Sequence, residues 1–232
     1  MLNQFSRTEL LIGKEGIEKL QNAKVAIYGL GGVGSYVVEA LARAGIGHLV
    51  IIDYDKFDET NINRQIGALH STIGKYKIDV MEERILDINP DIKVQKYFPT
   101  DIEGGEENLI TSDFTYVVDA IDTMTSKLKV IEKCNNENVR IITATGAGNK
   151  LDPTKFEIAD IYQTSVCPVC KLLRKELKSR NITNLKVVYS KEKPIKHEET
   201  QNKILGSISF VPSVAGLIVA GEVIKDLINW LF

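Results

Sequence analysis

The sequence predicts an α/β fold with a doubly wound, mainly parallel sheet and an antiparallel extension. Three observations support this fold: a glycine-rich turn joining a short apolar strand to a helix, further apolar strands that alternate with helices, and an alternating segment after position 150. Buried parallel strands are short continuous apolar runs, and helices connect them across the faces of the sheet. A Rossmann-like domain is therefore expected.

The glycine-rich turn lies in the segment 25–53. The apolar run 25–28 enters a G-x-G-x-x-G sequence, a helix follows, and a second apolar run ends in an acid. Glycines permit a tight turn and close approach of the backbone to phosphate, and the helix N-terminus offers free N–H groups. An acid at the tip of the second strand accepts a hydrogen bond from a ribose hydroxyl. This pattern predicts a nucleotide site that includes Gly29, Gly31, Gly32, Gly34 and Asp53.

The remaining elements follow from periodicity and turn residues. An N-terminal helix begins with the capping-box spacing of Ser6 and Glu9, is interrupted at Gly13 and ends near Asn22. The central part predicts a helix over 74–89, strands over 92–98 and 116–122, a helix over 126–138 and a strand over 140–145. The last part predicts an antiparallel edge strand over 156–161, a basic helix over 167–180, a strand over 185–189, a charged loop over 190–203 and an apolar helix over 214–230.

The chain has 232 residues, 44% of them hydrophobic, which is enough for one substantial core. We expect a single domain over 1–232, with a nucleotide-binding core (1–150), a mixed basic excursion (151–206) and a closing apolar helix (207–232). Three cysteines without a secretory signal indicate a reducing, cytoplasmic location. The longest uncharged run, 204–221, contains a proline and precedes charged residues, so we interpret it as buried in protein rather than in a membrane.

Polar residues follow the second strand at its carboxyl end, where open parallel sheets bind ligands. Asn61, Arg64 and Gln65 lie in this loop. Loops are polar by default, but arginine offers a planar fork to phosphate, and amides add neutral donors and acceptors. Lys77 lies in the first turn of the next helix, where the helix dipole disfavours a cation. A lysine at that place predicts an anionic partner.

Asp119 and Asp122 stand three residues apart at the carboxyl end of a later strand. A single acid there often caps a helix. Two acids beside a phosphate site instead suggest Mg²⁺ or the handling of another cation.

Five motifs together resemble the ubiquitin-activating-enzyme-like adenylating superfamily that includes MoeB, ThiF and HesA. They are G-x-G-G-x-G at 29–34, I-D-x-D at 52–55, N-x-N-R-Q at 61–65, G-x-x-K at 74–77 and D-x-x-D at 119–122. The resemblance implies an ATP site with a phosphate loop at Gly31 and Gly34, a ribose contact at Asp53, phosphate contacts from Asn61, Arg64 and Lys77, and Asp55 and Gln65 beside them. It also implies that Asp122 places Mg²⁺ and the attacking group, and that Arg7 enters the site from the partner in a homodimer.

The chain resembles one branch in particular, the tRNA threonylcarbamoyladenosine dehydratases (TcdA). The similarity is carried by F-S-R-T-E-L-L-I-G at 5–13, A-L-A-R-A-G-I-G at 40–47, N-R-Q-I-x-A-L at 63–69 and L-K-V-V-Y-S-K-E-x-P at 185–194, and Lys127 completes the branch's pattern. The resemblance implies ATP-dependent cyclisation of a modified adenosine in tRNA through an acyl adenylate. Arg7, Arg64 and Lys77 would stabilise the charge that develops on the α-phosphate.

Other functions stay open at this stage. Adenylation of the C-terminal glycine of a ubiquitin-like sulfur carrier, as in MoeB and ThiF, uses the same ATP site, and a sulfur-transfer protein partner is also left open. An NAD-dependent oxidoreductase would need only the glycines and Asp53, and it leaves Arg64, Lys77 and Asp122 unexplained. A non-catalytic nucleotide-binding module would bind ATP without turnover.

The cysteines separate these functions in part. MoeB and ThiF hold a structural zinc with two C-x-x-C pairs, whereas this chain has only Cys167 and Cys170 in such a pair. Zinc sites use four ligands, so one pair is insufficient. Cys167 as a thioester nucleophile is a second interpretation, and structural or incidental cysteines are a third. Cys134 lies within a helix and is interpreted as packing.

The stretch from Lys171 to His197 is strongly basic. It has seven lysines, two arginines and two acids, so it carries about +7 while the rest of the chain carries about −9. Such a stretch is usually a solvated face. Because a tRNA substrate is a polyanion, we interpret the helical face of Lys171, Arg174, Lys175 and Lys178 as a nucleic-acid platform.

A homodimer is the last expectation from the sequence. The closing helix is apolar on most sides, so it is covered by the sheet or by a second subunit, and Arg7 would reach an active site only from a neighbour.

Overall fold

The computed structural model describes residues 2–101, 103–195 and 205–230, and in that part of the chain seven strands form one sheet in the order β3-β2-β1-β4-β5-β7-β6. The strands are β1 (Lys24–Tyr28), β2 (His48–Ile52), β3 (Lys93–Tyr97), β4 (Tyr116–Asp119), β5 (Ile141–Ala144), β6 (Phe156–Asp160) and β7 (Lys186–Ser190). The helices are α1 (Ser6–Asn22), α2 (Gly34–Ala44), α3 (Lys77–Ile88), α4 (Met124–Asn136), α5 (Pro168–Ser179) and α6 (Phe210–Ile228).

The strand directions confirm the predicted doubly wound fold. All neighbouring strands are parallel except β6 and β7, which pair antiparallel at one edge. From β1 the chain builds outwards through β2 and β3, then returns to place β4 on the other side of β1. Ligands bind where the strand order reverses in this way, at the carboxyl ends of the strands. The fold therefore places the candidate site above β1 and β4.

The central strands of the sheet are buried on both faces. Helices α1, α2, α3 and α6 share a core with one face of the central strands, in which Val37, Ile78 and Val219 are at most 1% exposed. Helices α4 and α5 cover the other face, with Val130 and Leu173 fully buried. Burial on both sides explains why β1, β2 and β4 are continuous apolar runs rather than alternating ones.

Most of the apolar surface of helix α6 is covered by other parts of the same chain. Val219, Ala220 and Val223 are fully buried, and a side chain on Gly216 would meet the Val33 carbonyl oxygen at 2.4 Å, so α6 lies tightly on the start of α2. Leu217 remains 48% exposed. The sequence left open whether the sheet or a second subunit covers this helix. In the structure the sheet and α2 cover it, so its apolar residues do not by themselves require a second subunit. No helix in the described ranges has the length and apolar character to cross a membrane.

The N-terminal helix shows one confirmed and one wrong prediction. Gly13 interrupts α1 with a φ of 71°. The capping box is absent, because Phe5 is the N-cap and the Ser6 hydroxyl instead accepts a hydrogen bond from the Asn3 N–H at 2.8 Å. Of the predicted charged loop 190–203, residues 196–203 lie outside the described part of the chain.

Candidate nucleotide-binding site

The glycine turn brings strand β1 and helix α2 into direct backbone contact. A Cβ on Gly34 would lie 1.8 Å from the Gly29 carbonyl oxygen, so only glycine fits there. Helix α2 has no side-chain N-cap, and within the described ranges the N–H groups of residues 31–34 have no hydrogen-bond partner. A Cβ on Gly31 would meet nothing within 4 Å. The turn thus presents free donors and open space, as a phosphate site requires.

Asp53 ties the end of β2 to this turn. Its carboxylate is 8% exposed and accepts hydrogen bonds from the N–H groups of Leu30 at 2.7 Å and Asp55 at 2.8 Å. Burial raises the pKa of Asp53, while Lys77 and the two N–H donors oppose that rise. The predicted ribose acceptor is therefore held against the glycine turn by its hydrogen bond from Leu30.

Lys77 has the anionic partner that its place in the helix predicted. The side chain is 4% exposed, with Nζ 2.7 Å from Asp55 Oδ2 and 3.9 Å from Asp53 Oδ2. The neighbouring Tyr54 phenol is 64% exposed, and the charge of Asp55 is the main cause of its raised pKa, with Asp122 and Asp53 contributing. These acids thus converge from β2 and from the end of β4. Sequence reasoning did not consider Tyr54, although its place between two site acids was visible.

The loop after β2 places Arg64 next to the glycine turn. Arg64 Nη1 donates to the Thr60 carbonyl oxygen at 2.8 Å and to Asn63 Oδ1 at 2.9 Å, which fixes the side chain. A Cβ on Gly32 would approach Arg64 Cγ at 3.3 Å. The aliphatic stem of the predicted phosphate-binding arginine therefore lies beside the glycine turn, and its guanidinium is held by the loop after β2.

The two amides of this loop differ in their availability. Asn61 Oδ1 accepts from the Asp58 N–H at 3.2 Å and closes a capping box around the short 3-10 helix Glu59–Asn61. Gln65 is 6% exposed, and its buried Oε1 has no partner among the described residues. A buried acceptor without a donor is costly. Gln65 is therefore suited to bind a ligand, whereas Asn61 mainly builds the loop.

The two acids after β4 have different roles. Asp119 is fully buried, accepts from Lys127 Nζ at 2.7 Å and from the Ile121 N–H at 3.1 Å, and is not free for a metal. Lys127 Nζ also donates to the Ala144 carbonyl oxygen at 3.2 Å. Asp122 is exposed, so of the two acids Asp119 binds the Lys127 ammonium and only Asp122 is left accessible. Lys127 lies in the first turn of α4, where the helix dipole disfavours a cation. The same argument that predicted an anionic partner for Lys77 could therefore have predicted one for Lys127.

Arg7 lies far from the glycine turn of its own chain. Nearby Phe5 packs where a Cβ on Gly45 would be, at the C-terminal end of α2, and Gln4 Nε2 donates to Asn89 Oδ1 at the C-terminal end of α3. The 11 residues of α2 span about 16 Å between that end and the turn. Arg7 is exposed, so it is not part of the site in a single chain.

The cations of the basic helix are of two kinds, exposed lysines and one inward-pointing arginine. Arg174 Nη1 points inward and donates to the Thr164 carbonyl oxygen at 3.0 Å and to the Thr164 hydroxyl. Lys171, Lys175 and Lys178 are exposed on α5. The predicted nucleic-acid platform therefore has fewer outward-facing cations than the sequence suggested, because Arg174 hydrogen-bonds to Thr164 in the segment before α5.

The structure provides the elements that ATP needs. The glycine turn offers free N–H donors, Gly31 leaves room, Arg64 and Lys77 supply positive charge, and Gln65 has an unused acceptor. In the described part of the chain no three His, Cys, Asp or Glu side chains are grouped to hold a metal ion. A single acid such as Asp122 is sufficient for Mg²⁺ when phosphate oxygens and water complete its octahedron.

Fold and site together define a Rossmann-like nucleotide-binding domain with Arg64 beside its glycine turn and Lys77 beside Asp53 and Asp55. The sequence model of the ThiF family matches residues 5–230, so the chain belongs to the ThiF family. This confirms the resemblance drawn from the motifs.

Similar proteins agree with this assignment. The chain is 44% identical over 246 residues to a tRNA threonylcarbamoyladenosine dehydratase of Bacillus subtilis, covering 99% of this chain and 96% of that protein. The crystal structure of the E. coli tRNA N6-threonylcarbamoyladenosine dehydratase, TcdA, matches with a TM-score of 0.87 and 32% identity over 97% of this chain and 94% of that one. The same E. coli protein in complex with ATP matches with a TM-score of 0.84 and 30% identity over the same shares of the two chains.

Proposed function

We propose that the protein is an ATP- and Mg²⁺-dependent tRNA threonylcarbamoyladenosine dehydratase of the cytoplasm. The observation that carries this proposal is the 44% identity to the B. subtilis dehydratase along 99% of the chain. The site supports it, because the stem of Arg64 lies beside the glycine turn with its free N–H groups, and Lys77 Nζ lies 3.9 Å from Asp53, which accepts a hydrogen bond from Leu30 of that turn.

In the first step the threonyl carboxylate attacks the α-phosphorus of ATP, and pyrophosphate leaves. The N–H groups of residues 31–34 hold phosphate oxygens, and Arg64 and Lys77 stabilise the negative charge of the transition state. Lys77 is held in place for this role by Asp55 at 2.7 Å. Asp122 would hold Mg²⁺, which neutralises charge on the phosphates.

In the second step the carbamoyl group of the same nucleoside attacks the activated carbonyl, closes a five-membered ring and expels AMP. The carboxylate oxygen leaves with AMP, so the nucleoside loses the elements of one water. Because nucleophile and electrophile belong to one molecule, positioning lowers this barrier without a catalytic thiol.

The test is conversion of the modified nucleoside. Protein, ATP, Mg²⁺ and tRNA carrying threonylcarbamoyladenosine are incubated, and the digested nucleosides are analysed by mass spectrometry. We expect loss of the mass of one water that depends on ATP and on Arg64. Unchanged nucleoside would contradict the proposal.

Adenylation of a sulfur carrier is the second candidate, because it would use the same ATP site. It predicts ATP–pyrophosphate exchange that requires a carrier protein with a C-terminal glycine and is independent of tRNA. Exchange of that kind would replace our proposal. A sulfur-transfer protein partner remains a prediction, which the nucleoside assay tests by running with purified protein alone.

The exposed lysines of α5 are proposed as the tRNA contact. Lys175→Glu with Lys178→Glu should weaken tRNA binding across sequences and lower the salt dependence by about one unit for each lost phosphate contact, while ATP affinity stays unchanged. Filter binding at several salt concentrations measures both quantities. The control is Lys14→Glu with Lys93→Glu, two exposed lysines elsewhere, which changes net charge equally. Equal tRNA affinity of both double variants would remove α5 from the interface.

We also propose a homodimer in which Arg7 completes the partner's site. Arg7 lies beside Leu10 and Leu11, which are 86% and 79% exposed, and an apolar surface of this kind favours contact with another subunit. Arg7→Ala and Asp122→Ala should each be inactive, yet their mixture should recover about a quarter of wild-type activity. Half of randomly mixed dimers are mixed, and each of these contains one intact site. No recovery in a mixture shown to exchange subunits would contradict the shared site.

A further inference from the structure

The proposed reaction leaves one cluster of reactive groups unused, at the start of helix α5. Cys167 is the N-cap of α5, Pro168 is its first residue, and Cys170 lies one turn further. The Cys170 sulfur is 3.2 Å from the Thr145 hydroxyl, and a Cβ on Gly146 would lie 2.9 Å from the Cys167 sulfur. Thr145 and Gly146 follow β5 at the carboxyl edge of the sheet. The two thiols therefore pack against the turn that follows β5, at the same edge of the sheet as the candidate nucleotide site.

A buried cation lies in the same region. Lys150 is 4% exposed, and its ammonium donates to the carbonyl oxygens of Ser190 at 3.3 Å and Glu192 at 2.9 Å. In the described ranges no carboxylate lies within 4.0 Å of the Lys150 ammonium. The nearby Glu192 carboxylate instead accepts hydrogen bonds from the N–H groups of residues 151 and 152. A buried ammonium is favoured by a nearby negative charge.

The two sulfurs differ in their ionisation. The Cys170 thiol, the N–H groups at the start of α5 and the charge of Lys150 together lower the pKa of Cys167 to about 5, against the effect of burial. The pKa of Cys170 is raised, first because its proton is shared with the Cys167 sulfur and also by burial. The two shifts have opposite directions, which favours a thiolate at Cys167 and a proton on Cys170, and thiol–disulfide exchange uses this arrangement.

The turn before Cys167 is strained. Val166 has a φ of 63° and is 49% exposed. A β-branched residue in the left-handed region is an outlier of the kind that concentrates at functional sites. The strained turn is also the solvent-facing side of an otherwise buried thiolate, so its opening would admit a small reagent to Cys167.

We propose that Cys167 and Cys170 form a redox-active dithiol that undergoes exchange with low-molecular-weight disulfides. The Cys167 thiolate attacks one sulfur of the reagent and expels the other half as a thiolate. Cys170 then loses its proton, attacks the Cys167 sulfur and releases the second half. Two protein thiols are oxidised to one disulfide, and one small disulfide is reduced to two thiols.

The test uses oxidised glutathione on the folded full-length chain, with mass spectrometry of the intact protein and of its peptides. Wild type should form the 167–170 disulfide without a retained adduct. Cys170→Ser should instead retain one glutathione on Cys167, and Cys167→Ser should retain none at Cys170. Cys134 is the internal control, because it is buried and burial raises its pKa to about 12.

A second measurement does not depend on the variants. In wild type, alkylation by iodoacetamide at neutral pH should modify Cys167 at least about tenfold faster than Cys134, because only a thiolate reacts. Equal rates for the two cysteines, or glutathione retained equally by both serine variants, would overturn the proposal.

Discussion

Replacement of Gly34 by alanine is expected to abolish tight ATP binding. The added Cβ would lie 1.8 Å from the Gly29 carbonyl oxygen, so β1 and α2 must separate at the turn. Overpacking of this kind costs about 1–3 kcal/mol. If that cost falls on the bound conformation, affinity drops by about 5- to 150-fold. Isothermal titration calorimetry with ATP measures the change, and urea unfolding shows how much of the cost falls on overall stability.

Gly31→Ala is the matched control, since it adds the same methyl group in the same turn. Its Cβ meets no protein atom within 4 Å, so stability should remain within about 0.5 kcal/mol of wild type. Its ATP affinity should nevertheless fall, because the methyl group enters the space assigned to phosphate. Wild-type ATP affinity in Gly31→Ala would show that the phosphates lie elsewhere.

The second large effect is expected for Lys127→Met. The change leaves Asp119 fully buried without its cation, and breaking a buried ion pair in this way costs about 3–5 kcal/mol. The midpoint of urea unfolding should fall while the slope with denaturant stays constant. Dehydratase activity should fall as well. Lys127 holds the Asp119 carboxylate, which accepts a hydrogen bond from the Ile121 N–H and so positions the backbone next to Asp122.

Two controls separate the pair from its surroundings. Lys129→Met removes the ion pair between half-exposed Lys129, two residues further along α4, and Glu107, and it should cost less than Lys127→Met because Lys127 is only 3% exposed. Asp119→Leu with Lys127→Met should recover most of the stability, since apolar replacements of a buried pair are often neutral. Activity should not recover in this double variant, because the Ile121 N–H has lost its acceptor. Equal destabilisation by Lys127→Met and Lys129→Met would contradict the role of the buried pair.

Most of the site could be read from local sequence. Free N–H groups follow from a glycine turn that opens a helix, and the position of Lys77 predicted an anionic partner, which in the structure is Asp55. The same reasoning did not separate Asp119 from Asp122, because the sequence pattern placed both acids in one predicted strand, whereas β4 ends at Asp119. Only their burial distinguishes them, and burial of Asp119 depends on Lys127 reaching back from α4.

The sequence by itself determined the element types, the nucleotide turn and the family of this protein, because these depend on periodicity and on residues close together in the chain. Tertiary structure decided what distant residues do for each other. It turned Arg174 inward to Thr164, covered α6 with α2 and the sheet, and placed Arg7 at the opposite end of α2 from the glycine turn. Such pairings depend on how helices pack across the sheet, and packing is set by shape and burial that no local pattern contains.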